Sequence, residues 1–96
     1  MKPLSIVARI KSKPHCIAQV KEELIKLVIP TRAEQGCINY DLHQDLEDPA
    51  TFVFYENWTS AEDLDRHLRS PHITAYLTKA DSLLEGWSLQ KLTKII

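Results

Sequence analysis

Glycine and cysteine are scarce in this sequence, with two of each among 96 residues. Two glycines are too few for the glycine-rich loops that bind phosphates, which excludes the common nucleotide and dinucleotide motifs. No apolar run approaches the roughly 20 residues that span a bilayer, and the N-terminal residues lack the apolar segment of a signal peptide. We therefore expect a cytoplasmic protein without a membrane partner, in which Cys16 and Cys37 stay reduced.

The sequence also has no large excess of positive or negative charge. It contains 12 Lys and Arg residues and 13 Asp and Glu residues, for a net charge of −1. Nucleic-acid binding requires a clustered basic face, so no nucleic-acid partner is expected. The hydrophobic content of 44% is ordinary for a globular protein. The length allows one domain over residues 1–96, with a core small enough that a second copy would help to cover apolar surface.

Hydrophobic periodicity predicts seven elements. Alternating patterns indicate strands at 4–11, 37–45, 51–58 and 87–95. Three- and four-residue spacing indicates a helix over 15–34, kinked at Pro30 and followed by a last turn, and two further helices between 59 and 86. The order β-α-β-β-α-α-β predicts an α+β, ferredoxin-like fold, with the helices on one face of a four-stranded antiparallel sheet.

Individual residues predict where the helices begin and end and which strand side chains share a face. Thr59 and Glu62 have the spacing of a capping box, and Ser70 with Pro71 is typical of a second helix start. Gly86 is the expected end of that second helix. In strand 37–45, strict alternation would place Ile38, Tyr40 and Leu42 on one face.

The strand over 51–58 is apolar on both faces along Phe52-Val53-Phe54-Tyr55. Such a strand must be covered on both sides, and helices can cover only one face of a single small sheet. Because the remaining chain has no further element for the second face, we expect a homodimer.

Glu56 follows this apolar run at a position where the alternation calls for a buried residue. A buried carboxylate must be hydrogen-bonded, paired or protonated. Glu56 is therefore either a structural group paired with Arg9, Arg66 or the backbone, or a functional group that acts as a general base or as an acid with a raised pKa. A cavity of ~300 Å³ or more beside it would favour a ligand site.

His67 lies on an apolar helix stripe, and His72 lies just after a helix start. Histidines in such places are often satisfied structural residues, and they can also be functional. A metal site would require a third ligand, for which His43 and Glu56 are available without a recognisable spacing. We therefore predict no metal.

Residues along the whole chain form a recognisable pattern: Glu34-Gln35-Gly36-Cys37, then Tyr40, Glu56, Trp58, Ser60, Leu64, His67, Leu68, Pro71, His72, Ala75 and Tyr76. This pattern resembles the antibiotic biosynthesis monooxygenase superfamily, and within it the small quinol-monooxygenase-like branch. The segment from Glu56 to Tyr76 is the most specific part of the likeness.

The resemblance implies a dimeric α+β barrel in which two ferredoxin-like sheets pack face to face. It also implies a monooxygenase that oxidises a small aromatic, phenolic or quinol substrate with molecular oxygen and without a cofactor. Such a site must remove a proton to form an electron-rich phenolate. By motif position, Glu56 or His67 would transfer this proton, and four residues would shape the substrate pocket: Tyr40, Trp58, His72 and Tyr76.

Other functions of the same fold remain open at this point. A related branch isomerises small phosphorylated signalling ketones, for which Arg9, Lys11 or Arg32 would have to bind the phosphate. Haem-degrading members resemble a pattern with an asparagine in the first strand. The first strand here has Val7, Ala8 and Arg9 instead, so haem degradation is not expected. Since fold does not determine function, a small-ligand-binding barrel without catalysis is the non-enzyme alternative.

Overall fold

The computed structural model describes residues 3–96. Four strands, β1 to β4, form one sheet: Leu4–Ser12, Cys37–Gln44, Thr51–Trp58 and Leu84–Thr93. Three α-helices, α1 to α3, lie between them: Ile17–Arg32, Ala61–Leu68 and Pro71–Leu83, with a short 3-10 helix at Pro14–Cys16. The strand order is β2-β3-β1-β4 with antiparallel neighbours, which confirms the predicted ferredoxin-like α+β fold.

The hydrophobic core lies between one face of the sheet and the helices. Alternate residues of β1 and β3 supply the sheet side, since Ile6 pairs with Glu56 and Ala8 pairs with Phe54 in register. The helices supply a matching apolar stripe: Val20, Leu24, Leu27, Leu64, Ile73 and Leu83. Glu56 therefore enters this layer because of its position in the alternation of β3.

The other face of the sheet carries the intervening side chains. Tyr55 of β3 is 44% exposed, whereas its neighbours Phe54 and Glu56 are buried. Ile38 and Leu92 are also exposed large hydrophobic residues, and they surround the same shallow depression as Tyr55. The described chain thus presents apolar side chains on a sheet face away from its own core.

Helix α1 contains Pro30 and continues to Arg32, so the predicted last turn after the proline is present. The amide of Ala33 donates to the carbonyl of Ile29 and closes the helix end. No helix within residues 3–96 is both long enough and apolar enough to cross a membrane.

The predicted alternation of β2 is wrong at its start, because the ladder contains a bulge between Cys37 and Asn39. Cys37 pairs with Trp58 and Tyr40 pairs with Glu56, so three steps along β2 match two steps along β3. The extra residue, Ile38, is 52% exposed, while Tyr40 is buried in the core. Strict period-two alternation cannot reveal a bulge.

Two predicted helix boundaries also need correction. The cap of α2 is Ser60 and not Thr59, since the Ser60 hydroxyl accepts the amide N–H of Asp63. The predicted cap of α3 by Ser70 is confirmed. Helix α3 ends at Leu83 rather than at Gly86, because β4 already pairs with β1 from Leu84 onward. Edge-strand pairing thus overrides the glycine stop signal.

Candidate functional site

A cavity of about 320 Å³ lies between the sheet and the helices. Its lining is mostly apolar, with side chains from all four strands and all three helices. The polar side chains among the described lining residues are few: Tyr40, Glu56, His67, Tyr76 and Ser88. Small-molecule sites are typically concave and apolar with a few convergent polar groups, and this cavity has that character.

Glu56 is the acidic group of this cavity and is only 3% exposed. Its Oε1 accepts a hydrogen bond of 2.9 Å from the indole N–H of Trp58. Burial raises the pKa of the Glu56 carboxyl to about 7, while the Trp58 hydrogen bond opposes that rise. A carboxyl group with this pKa can accept and return a proton near neutral pH.

The expected arginine partners of Glu56 are not found in the described structure. Arg66 pairs with Asp63 at 2.8 Å, and Arg9 is exposed on β1. Trp58 is instead the observed partner, because two residues farther along a strand the side chain returns to the same face. Among residues 3–96, no cation neutralises the carboxyl group in the core.

His67 lies beside the cavity on α2 and is 3% exposed. Its Nδ1 is 2.6 Å from Oε2 of Glu34, and Nε2 of His72 is 3.2 Å from the same oxygen. Burial lowers the pKa of His67, although the Glu34 contact acts in the opposite direction. Glu34 therefore orients two imidazole rings at once.

A turn after α1 places Glu34 at this point. Gly36 follows with φ of 85°, a conformation that favours glycine, and its carbonyl accepts the amide of Thr59. A Cβ at Gly36 would also collide with the Asp63 side chain at the start of α2. This close approach brings the end of α1 against α2 and so brings Glu34 to His67.

Aromatic rings hold His67 from the sheet side. The Trp58 ring lies 4.7 Å from the imidazole centroid, and the Tyr40 ring meets it edge-on at 5.4 Å. Tyr40 in turn stacks on Phe54 at 4.4 Å. These contacts limit the rotation of His67, so its ring has a defined position beside the cavity.

Tyr76 of α3 contributes a hydroxyl group with no hydrogen-bond partner among the described residues. Burial raises the pKa of this phenol to about 12. A buried hydroxyl without a partner costs free energy that a polar group of a ligand could recover. Tyr76 is thus a candidate for contact with a bound molecule.

The predicted site residues occupy two layers. Four of them line the cavity: Tyr40, Glu56, His67 and Tyr76. Trp58 is fully buried behind Glu56, and His72 lies beside Glu34. The individual roles given to these six residues remain predictions.

Two further residues belong to the site and had no predicted role. Glu34 was visible only as part of the Glu34-Gln35-Gly36-Cys37 pattern, and a turn residue far from His67 in sequence carries no local sign of that contact. Trp87 lines the cavity from edge strand β4 while remaining 70% exposed, which places it at an opening to solvent.

The basic residues considered for a phosphate site lie elsewhere. Lys11 pairs with Asp48, and Arg32 contacts Asp41 and the Tyr40 carbonyl. No lysine or arginine occurs among the described residues that line the cavity. The described part of the lining thus offers no cationic group of the kind that would bind a phosphorylated ketone.

Comparison with known proteins identifies the family of this chain. The family model described as "Antibiotic biosynthesis monooxygenase" matches residues 3–79. This chain belongs to that family. The family match includes every residue of the cavity and the Glu34 turn except the lining residues of α3 and β4 beyond position 79.

Sequence matches to two relatives extend over most of this chain. An uncharacterised Synechocystis protein, sll1783, is 33% identical across 97% of this chain, which spans only 63% of that protein. The "Probable quinol monooxygenase YgiN" of Escherichia coli is 30% identical, with 76% of this chain and 80% of that protein covered.

Solved structures of relatives have the same fold. PA3566 from Pseudomonas aeruginosa superposes with a TM-score of 0.97 at 33% identity, covering 100% of this chain and 97% of the other. Rv0793 from Mycobacterium tuberculosis gives a TM-score of 0.92 at 29% identity, covering 98% and 96%. Both comparisons include β4, which the family match does not reach.

Proposed function

We propose that this protein is a monooxygenase that oxidises a small phenolic or quinol substrate with molecular oxygen and without a bound cofactor. The observation that carries the proposal is the buried carboxyl group of Glu56 in an apolar cavity of about 320 Å³. Family membership supports oxygenation, and the name of the E. coli relative supports a quinol.

The first chemical step is the removal of a phenolic proton. Glu56 is the base that we assign to it, because its pKa of about 7 leaves it partly ionised at neutral pH. The resulting phenolate is electron-rich and can pass electrons to oxygen. One oxygen atom enters the product, and the other leaves as water with two hydrogens that the substrate supplies.

The cavity walls favour this proton transfer. The lining that surrounds Glu56 is apolar, so water is largely replaced by fixed side chains and the substrate is oriented against the carboxyl group. His67 adds a positioned ring nitrogen beside the cavity, and Tyr76 adds a hydroxyl group free to bind a substrate oxygen. Tyr40 and Trp58 maintain the position of His67 by ring contacts.

Oxygen uptake tests the proposal. Chelator-treated protein would be incubated with a panel of quinols and anthrone-like phenols, and oxygen would be followed with an electrode. We expect substrate-dependent uptake that heat-denatured protein does not show. No uptake with any of the panel, together with ligand-induced thermal stabilisation, would favour the non-catalytic binding barrel instead.

We also propose a homodimer formed through the uncovered face of the sheet. Exposed Tyr55, Ile38 and Leu92 provide apolar surface there, and a second copy of the same face would bury it. The partner sheet would then cover the outer side of β3, next to the strand that carries Glu56.

The dimer predicts a particle with twice the mass of one chain in light scattering after size exclusion. Tyr55→Lys would place a charge in the interface and is expected to yield monomers at the same concentration. Leu46→Lys is the matched control, because Leu46 is fully exposed on the turn between β2 and β3. A monomeric native protein, or equal dissociation of both variants, would contradict the interface.

A further inference from the structure

Three side chains from separate segments converge beside the cavity, where His67 forms part of its wall. Glu34 lies in the turn after α1, His67 lies on α2 and His72 lies in the first turn of α3. One ligand atom from each residue lies within 4.8 Å of the other two. Glu34 Oε2 contacts both His67 Nδ1 and His72 Nε2. From this convergence we infer that Glu34, His67 and His72 form a binding site for a divalent transition-metal ion, best suited to Zn²⁺.

The donor types fit such an ion. Imidazole nitrogen and carboxylate oxygen are common ligands of zinc and of its first-row neighbours, whereas Mg²⁺ and Ca²⁺ prefer oxygen alone. Both ring nitrogens already face the same oxygen, at 2.6 and 3.2 Å. Neighbouring ligand atoms around tetrahedral zinc are about 3.3 Å apart, given bond lengths near 2.0 Å. The two contacts to Glu34 are therefore already close to ligand spacing, and the ring nitrogens of His67 and His72, which lie within 4.8 Å of each other, would approach to the same spacing.

Burial gives the site a closed side and an open side. His67 is held in the core by the rings of Trp58 and Tyr40, so one ligand is rigid before any metal binds. Glu34 and His72 are partly exposed, which gives an ion access and leaves room for a water ligand. A site with three protein ligands and one water position is the usual open zinc arrangement.

A second group supports the position of His72. The Ser70 hydroxyl, which also caps α3, lies 3.2 Å from His72 Nε2. The cap fixes the helix start and with it the direction in which His72 leaves the backbone. Two of the three ligands are thus oriented by contacts that do not depend on the ion.

Each imidazole must turn a nitrogen lone pair toward the ion. His67 would therefore bind through Nδ1 with its proton on Nε2, and His72 would bind through Nε2 with its proton on Nδ1. Glu56 is not among the ligands. The site is therefore separate from the proton acceptor of the proposed oxygenation and can be tested without a substrate.

Cobalt provides a direct probe of the site. Protein treated with chelator and then freed of it would be titrated with Co²⁺, and visible absorption would report coordination by nitrogen and oxygen. Zn²⁺ added afterwards should remove the bands. We expect one ion per chain with micromolar affinity, and a loss of at least tenfold in affinity in Glu34→Gln and in His72→Asn.

His43→Asn is the matched control, because His43 is exposed on β2 and contacts the Val53 carbonyl away from the cluster. It should bind Co²⁺ as the native protein does. Absence of the absorption bands and of metal uptake in equilibrium dialysis would overturn the inference, and so would equal affinities in native protein, Glu34→Gln and His72→Asn. Nitrogen NMR of the imidazoles adds a second measurement, since bound Zn²⁺ should shift His67 and His72 and leave His43 unchanged.

Discussion

Replacing Glu56 by glutamine is expected to slow substrate-dependent oxygen uptake by about 100-fold or more, in line with the typical contribution of a general base. The amide has the size of the carboxyl group, and its oxygen can still accept the Trp58 indole N–H. The substitution therefore removes the proton acceptor while keeping the packing. The measurement is the initial rate of oxygen uptake at saturating substrate.

The pH profile makes this prediction more specific. Because the pKa of Glu56 is about 7, the native rate should fall as the pH drops below neutrality and the carboxyl group becomes protonated. Glu56→Gln should lack that acidic limb. Glu47→Gln, on the exposed turn, is the control for loss of a carboxylate and should keep both rate and profile.

A double variant tests the wider assignment of proton transfer. The variant combines Glu56→Gln with His67→Asn. It removes both groups that the sequence predicts to transfer the substrate proton. Circular dichroism would establish that the double variant is folded. A loss of less than tenfold in turnover by folded protein would reject the assignment to these two residues.

The second large effect concerns stability. The pKa of Glu56 is raised from 4.5 to about 7 in the folded protein, so the folded state binds more protons than the unfolded state between these values. The free energy of unfolding should therefore fall as pH rises from 4.5 through 7. Above neutrality the free energy of unfolding should be lower by about 3 kcal/mol, because each unit of pKa shift corresponds to about 1.4 kcal/mol.

Glutamine cannot ionise, so Glu56→Gln should avoid this loss. We expect the unfolding free energy of the variant, relative to native protein, to increase by up to about 3 kcal/mol between pH 4.5 and pH 8. Urea denaturation at several pH values measures the difference. Glu47→Gln should run parallel to native protein, and a parallel course for Glu56→Gln would show that the carboxyl group is not buried as described.

Much of the fold could be predicted from local patterns. Strand β3 was predicted over 51–58 and is observed there, since a continuous apolar run bounded by turn residues is a strong signal. The predictions that the structure corrected concerned Ile38, Thr59 and Gly86. Pairing between strands decided two of them, through the bulge at Ile38 and the early start of β4 before Gly86. At Thr59 the neighbouring Ser60 supplied the cap instead.

The candidate site was predictable to the extent that it follows strand alternation. Glu56 and Trp58 are two residues apart on β3, so one periodicity places both on the inner face. The sequence also contained Glu34, but its contact with His67 spans 33 positions and depends on the close approach at Gly36. Local periodicity carries no information on contacts at that separation.

The sequence alone therefore determined the order of elements, the inward direction of Glu56 and the family pattern, because these depend on short-range spacing. Only the tertiary structure decided that Trp58 rather than an arginine bonds Glu56, and that the helices leave a cavity beside it. It also decided that Glu34 gathers His67 and His72. Such features depend on how separate elements pack, and packing brings together residues that no local pattern connects.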